Sequence, residues 1–232
     1  MSANDADPRD LYIAKVVSGK TFLDVGGLWG TVNEKVTVAA KAGAASTTML
    51  DIQLPDHPLW QAFRERCVSM GVSGCHLISA SIDEPGLESK VGQFDVVHCG
   101  GVLYHCPNPL YTLTQLARIS CRYLILTTTV IPETVTNSKG AITVPAGTAL
   151  FVPFLPDYQA EILKEYWEAG GVAAIGITKQ PQVWHVEDYA PWWWLFPVST
   201  VRQLIMAAGF SILEDCPYWG SKAHSFLACK PA

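Results

Sequence analysis

Thr21-Phe22-Leu23-Asp24-Val25-Gly26-Gly27-Leu28-Trp29-Gly30 reads as a short, mostly apolar strand that breaks into glycines two residues after an aspartate. A buried strand that ends this way and runs into a helix is the unit from which open parallel sheets are built. The helix is expected from Thr31, with Thr31 and Glu34 at capping-box spacing and Gly43 as its stop. The alternation then continues. Thr47–Ile52 (TTMLDI) reads as a second strand, Trp60–Met70 as a helix ending at Gly71, Cys75–Ile82 as a third strand and Phe94–Cys99 as a fourth. Leu110, Leu113, Leu116 and Ala117 share one face of a helix that starts near Pro109, with proline in its first turn. Arg122–Ile131 is rich in β-branched residues and makes a fifth strand. Strand–helix alternation of this kind predicts an α/β sheet with helices on both faces.

Near the C-terminus Val201, Leu204, Ile205 and Ala208 recur at helical spacing and Gly209 closes the helix. Ser211–Trp219 and Ala223–Lys230 then read as two consecutive strands joined by a turn around Gly220. Two strands in direct succession make an antiparallel hairpin, so the sheet is expected to have seven strands and to be mostly parallel. Between Ile131 and Pro197 the alternation fails. The stretch holds one predicted helix, Asp157–Ala169, with Tyr158, Ile162, Leu163 and Tyr166 on one side; the rest is punctuated by Pro and Gly. At roughly 65 residues it is far too long for a connection, which marks residues 132–197 as an inserted substrate cap in a single 1–232 domain.

Four of the eight tryptophans, Trp184, Trp192, Trp193 and Trp194, lie within eleven residues at the end of this insertion. Three consecutive tryptophans cannot all point one way in an extended segment. Two roles therefore stand side by side: sealing the cap onto the sheet, and presenting aromatic faces to an acceptor. Composition narrows the partners. Only 16 Lys and Arg are set against 21 Asp and Glu, and the basic residues are scattered, so no stripe exists for a phosphate backbone and nucleic acid is disfavoured. The seven cysteines are odd in number and lack C-x-x-C spacing, which suits a reduced, cytoplasmic protein. The polar Met1–Asp10 segment is not a signal peptide, and no apolar run reaches the length of a membrane span.

The glycine turn separates cofactor classes. A dinucleotide fingerprint needs glycines at 26, 28 and 31, where this chain has Gly26, Leu28 and Thr31, and a phosphate loop needs Gly-Lys-Ser/Thr, which is missing. What remains is an acidic residue, then Gly26-x-x-x-Gly30. This resembles the first motif of class I S-adenosylmethionine-dependent methyltransferases, (D/E)-x-G-x-G-x-G, with Leu28 in place of the middle glycine. An aspartate beside the loop suits a ligand carrying a sulfonium and an ammonium, whereas it would repel a pyrophosphate. Asp51 ends the second strand where an acid can accept both ribose hydroxyls. In the family, the position of Asp83 accepts from the adenine amino group and that of Ile82 packs on the ring. Phe94–Leu110 (FDVVHCGGVLYHCPNPL) is similar to the family's fourth-strand region, and its VLYH run resembles the subgroup that modifies tRNA wobble uridine. VRQLIMAAGF at 201–210 matches the family's last helix and turn.

The resemblance implies a Rossmann-like fold and a cofactor site of Asp24, Gly26, Gly27, Gly30, Asp51, Ile52, Ile82, Asp83, Cys99 and Gly100. S-adenosylmethionine would be the donor and S-adenosylhomocysteine the product. The implied activity is methyl transfer to a small-molecule acceptor, at oxygen, with no bound metal, since no Asp/Glu/His cluster suggests one. For a hydroxyl acceptor His105 is the candidate base, the alternative being that it only orients its loop. His185 is a second candidate, and His98, inside a strand, reads as a satisfied core residue. Tyr104, Trp192 and Trp193 are the candidate acceptor contacts. The competing readings are a tRNA wobble-uridine transferase and a non-catalytic S-adenosylmethionine-binding module.

Overall fold

A computed structural model describes residues 7–29, 34–171 and 192–231. Seven strands form the main sheet: β1 (Thr21–Val25), β2 (Ser46–Asp51), β3 (His76–Ser79), β4 (Phe94–Gly100), β5 (Ser120–Thr129), β10 (Ser211–Tyr218) and β11 (Ala223–Cys229). Their order is β10-β11-β5-β4-β1-β2-β3; β1–β5 are mutually parallel, and β11 runs antiparallel to both β5 and β10. The order reverses at β1, between β4 and β2. In open sheets that switch opens a crevice at the carboxyl ends of the strands. The seven-stranded α/β sheet and its closing hairpin agree with the expectation from sequence.

Helices cover both faces. The larger core joins Leu23, Val25, Val97, Leu124 and Phe226 to α5 (Pro109–Ile119) and α7 (Val198–Ala207), through Leu113, Leu116, Val201 and Ile205. On the other face α1 (Pro8–Val16) packs Tyr12, Ile13 and Val16 against Phe22, Val96 and Ile125. No element was expected at α1. Its start is set by Asp7, whose carboxylate accepts from Arg9 N at 2.9 Å, with Pro8 in the first turn. The short α4 (Leu87–Val91) was not expected either.

The second helix departs from the sequence reading. It spans only Val36–Lys41 (α2), and Glu34 accepts from the main-chain N of Thr37 at 2.9 Å. Glu34 and Lys35 are therefore outside the helix, so the expected start at Thr31 was too early; Thr31 itself lies outside the described residues. The strand expected over Cys75–Ile82 shortens to β3, because Ala80–Asp83 leaves the sheet. The helix between β2 and β3 runs Pro58–Ser69 (α3) and buries Trp60, Phe63 and Cys67.

The stretch after β5 has its own core. A hairpin of β6 (Thr134–Asn137) and β7 (Gly140–Thr143), the short pair β8 (Leu150–Phe151) and β9 (Trp194–Leu195), and α6 (Asp157–Ala169) bury Val135, Ile142, Leu163, Trp167, Trp192 and Leu195 together. The buried face of α6 is Ala160, Ile162, Leu163 and Trp167; Tyr158, expected on that face, is exposed. This unit is tied to the sheet at its base. Ile131 N donates to Phe196 O at 2.9 Å, and Lys222, from the β10–β11 turn, donates through Nζ to Tyr166 O in α6. Among the described residues no helix is long and apolar enough to cross a membrane.

Candidate cofactor and acceptor site

The crevice at the carboxyl ends of β1, β2 and β4 collects most of the sequence-picked residues. Gly26 has φ +76°, and a Cβ built there would lie 2.4 Å from Val102 Cγ2. Both the left-handed backbone and the space demand glycine. A Cβ on Gly27 would meet Asp24 Oδ2 at 2.6 Å and Met49 Cε at 2.7 Å, so the loop passes directly over the Asp24 carboxylate. Leu28, which replaces the motif's middle glycine, is fully buried with Met49, Trp60 and Phe63. Its side chain plugs the loop onto α3 while its N–H donates to Asp51 Oδ2 at 3.2 Å. Gly26→Ala is therefore expected to cost about 1–3 kcal/mol, from the positive φ and the Val102 clash together. Chemical denaturation of the variant checks this.

Asp51, 3% exposed, accepts from Leu28 N and, at 3.1 Å, from Gln53 N. Burial pushes its pKa up, and the main-chain donors offset only part of that. The raised value fixes a sign. The folded chain holds this proton more tightly than the unfolded chain, so the group's contribution to stability falls as pH rises through the raised pKa. At neutral pH the ionised carboxylate is a standing cost. Asp51→Asn is expected to leave the melting temperature at pH 7 unchanged or higher, and to lose that advantage in acid; thermal melts at pH 7 and pH 4 check it.

Asp24 is placed differently from expectation. It is 1% exposed, and both its oxygens are taken: Oδ1 lies 2.7 Å from His98 Nδ1, and Oδ2 accepts from Lys35 N at 2.7 Å. His98 corrects its own reading as a satisfied core residue, because its buried Nε2 has no partner among the described residues. Lys35 Nζ binds Asp7 and Asp10 at 2.8 and 2.5 Å, which draws the first turn of α1 to the same spot.

Ile52, beside Asp51, is exposed at the crevice, whereas Ile82 and Cys99 are buried in the larger core. Burial drives the Cys99 thiol well above its ordinary pKa. Asp83 Oδ1 accepts from Thr112 Oγ1 at 2.7 Å, and Asp83 N donates to Ser81 Oγ. Gly100 closes β4, and a Cβ there would lie 2.9 Å from the His98 ring. Gly30, Trp184 and His185 lie outside the described residues.

Leu103–His105 forms a single 3-10 turn beyond β4. The rings of Tyr104 and His105 sit 4.2 Å apart, and burial pushes the Tyr104 phenol up to about 12. The segment that follows residue 191 comes down on this turn: Trp193 N donates to Tyr104 O at 2.9 Å, and Trp194 Nε1 to Pro107 O at 3.0 Å. The three tryptophans diverge. Trp192 packs edge-on against Tyr104 and Trp167, Trp193 stacks near Phe151, and Trp194 reaches the larger core. Arg9, Lys35, Val102 and Thr112 were not singled out from sequence; each reaches the site through a contact that only the sheet order reveals.

This sheet, with its reversed closing hairpin, shares its Rossmann-like fold with several solved S-adenosylmethionine-dependent methyltransferases. Among solved structures the chain is similar to magnesium protoporphyrin IX methyltransferase from Synechocystis PCC 6803 with bound S-adenosylhomocysteine (TM-score 0.57, 15% identity, 97% of this chain and 82% of that one). It is also similar to an S-adenosylmethionine-dependent methyltransferase from Mesorhizobium loti (TM-score 0.58, 14% identity, 96% of each chain). A third likeness is to the N-terminal domain of EvdMO1, solved with S-adenosylhomocysteine and D-fucose (TM-score 0.56, 16% identity, 99% and 84%). No protein-family model matches the sequence, and no curated protein matches it.

Proposed function

We propose that the chain is a methyltransferase that takes its methyl group from S-adenosylmethionine and acts on oxygen of a small-molecule acceptor in the cytoplasm. The observation that carries this reading is the buried Asp51 carboxylate beside the Gly26–Leu28 turn, at the strand-order switch of a methyltransferase fold. The site fits the cofactor: side chains at Gly26 and Gly27 would collide with their surroundings, so the main chain there is bare for close approach. Solved neighbours of this fold hold S-adenosylhomocysteine.

Asp51 would accept the ribose hydroxyls, Asp83 the adenine amino group, and Ile52 and Ile82 would flank the adenine ring. Gly26, Gly27, Gly30, Cys99 and Gly100 would line the cofactor with main chain, and Asp24 would hold that loop in place. When bound, S-adenosylmethionine supplies an electrophilic methyl on a positively charged sulfur. The chain's task is then to hold an acceptor oxygen roughly 3–3.5 Å from that carbon and in line. His105 would take the hydroxyl proton of the acceptor, leaving its oxygen free to be methylated. Residues 132–197 would form the acceptor cap, with Tyr104, Trp192 and Trp193 as its aromatic wall.

An aromatic wall suits a planar or sugar-bearing acceptor, and a chain with few basic residues does not suit RNA. Transfer of labelled methyl groups to a panel of phenols, sugars and polyketide-like hydroxyl compounds tests the reading. Cofactor binding with no transfer to any of them would instead favour a non-catalytic binding module. A gel shift with tRNA would revive the nucleic-acid alternative.

A further inference from the structure

We infer that Lys222 is a positioning residue for the candidate base: its ammonium pins the C-terminal end of α6, and the rings of Trp167, Trp192 and Tyr104 carry that placement to His105. The base role of His105 rests on the reading above; the coupling to Lys222 is a property of the packing and can be measured without it.

Lys222 is reached through a strained turn. Trp219, Gly220 and Ser221, between β10 and β11, have φ +53°, +60° and +63°. Left-handed backbone is ordinary for glycine and costly for the tryptophan and the serine. Such a run persists only where its surroundings hold it. Here Lys222 N donates to Trp219 O at 3.1 Å, and Val130 N donates to Lys222 O at 3.0 Å. The side chain that leaves this turn crosses to α6. Its Nζ donates to Tyr166 O at 2.5 Å and lies 3.0 Å from the centre of the Tyr166 ring and 5.4 Å from that of Trp167. Gly170 makes room for it, since a Cβ there would stand 2.6 Å from Lys222 Cε.

The charge is a second cost. Lys222 is 8% exposed, and no carboxylate pairs with it among the described residues. Lys35, also buried, is paired with both Asp7 and Asp10. A helix carboxyl end and two ring faces stabilise the Lys222 ammonium. They do not cancel its burial, which lowers the pKa to about 8. The folded chain therefore holds this proton less tightly than the unfolded chain, and at neutral pH the ammonium lowers stability. Fastening alone would be served better by an uncharged side chain. A strained turn and an unpaired buried charge at one tie point mark a demand on geometry.

The rings give that demand a destination. Trp167, fully buried, meets Trp192 edge-on at 5.2 Å, and Trp192 meets Tyr104 edge-on at 5.3 Å. The Tyr104 ring lies 4.2 Å from that of His105. Close-packed rings leave little slack, so a shift at the end of α6 is passed along the row.

Nitrogen-resolved NMR spectra of the histidine side chains test this, with His105→Gln identifying the His105 signal. In Lys222→Met the His105 signal should move, and its proton affinity should change by at least about twofold. His57, at the start of α3, should stay in place. Lys222→Met should also melt no lower than wild type at pH 7, because the buried charge is a cost there. Lys222→Gln keeps a donor for Tyr166 O without the charge; it should move the same signal, and it decides alone if Lys222→Met fails to fold. An unmoved His105 signal in either folded variant overturns the positioning role and leaves Lys222 a fastener. Once an acceptor is found, kcat of Lys222→Met should fall about tenfold with acceptor KM and S-adenosylhomocysteine affinity unchanged. A moved His105 signal with kcat unchanged would leave the coupling standing and count against His105 as the base.

Discussion

Asp51→Ala should weaken S-adenosylhomocysteine binding by about 100-fold or more. Two ribose hydroxyls donating to one buried carboxylate are each worth ~1.5 kcal/mol or more, and 1.4 kcal/mol is a factor of ten. The alanine variant also orphans the Leu28 and Gln53 N–H groups, which now bond the carboxylate, so the loop that carries Gly26 loses its tether to β2. Asp51→Asn separates the two effects. It keeps one acceptor for the loop and loses the charge, so its affinity should fall about tenfold while its stability holds. Calorimetry on both variants, with melting curves in parallel, reads the difference. Equal affinity in wild type and the alanine variant would mean that the carboxylate only braces the turn.

His105→Ala should lower kcat by roughly 10²–10⁴-fold, the usual range for a removed general base, with S-adenosylhomocysteine affinity unchanged. The base reading makes a further demand. The wild-type rate should fall on the acid side as the imidazole protonates, and the variant should lose that limb. His105→Gln sets this against an orienting role: glutamine can hold a loop by hydrogen bonding but cannot take the proton. Recovery of most of the rate in the glutamine variant would assign His105 to positioning. Steady-state kinetics across pH, once an acceptor is found, measures all three enzymes.

What could be read in the residues follows their range. β1 and β4 are short, mostly apolar runs and β2 and β5 mix apolar residues with β-branched threonines, which suits strands largely buried on both faces, and the bounds of α6 are set locally by Pro156 before it and Gly170 after it. The strands β6–β9, two to four residues long, are too short to show any period. The helix α1 opens in a charged segment and owes its existence to tertiary contacts with Phe22, Val96 and Ile125. At the second helix a local rule misled: Thr31 and Glu34 have the spacing of a capping box, but the Glu34 carboxylate serves Thr37.

The candidate site divides in the same way. Asp51 and the glycines could be picked because they sit at strand ends, a property of neighbours in the chain. The pairing of Asp24 with His98 could not, because it spans 74 positions and depends on β1 and β4 lying side by side in register. Parity then puts both side chains on the α1 face, where Arg9 waits. Trp192 is a further long-range case: its ring packs edge-on against Trp167 and Tyr104, contacts that its neighbours in the chain do not announce.

The central claim is that the crevice between β4, β1 and β2 holds S-adenosylmethionine. Isothermal titration of the wild-type chain with S-adenosylhomocysteine tests it most directly. The expected result is saturable binding of one molecule per chain, with Kd at or below the micromolar-to-millimolar range of working enzyme ligands and a matching rise in melting temperature. No heat and no thermal shift at millimolar ligand would contradict it.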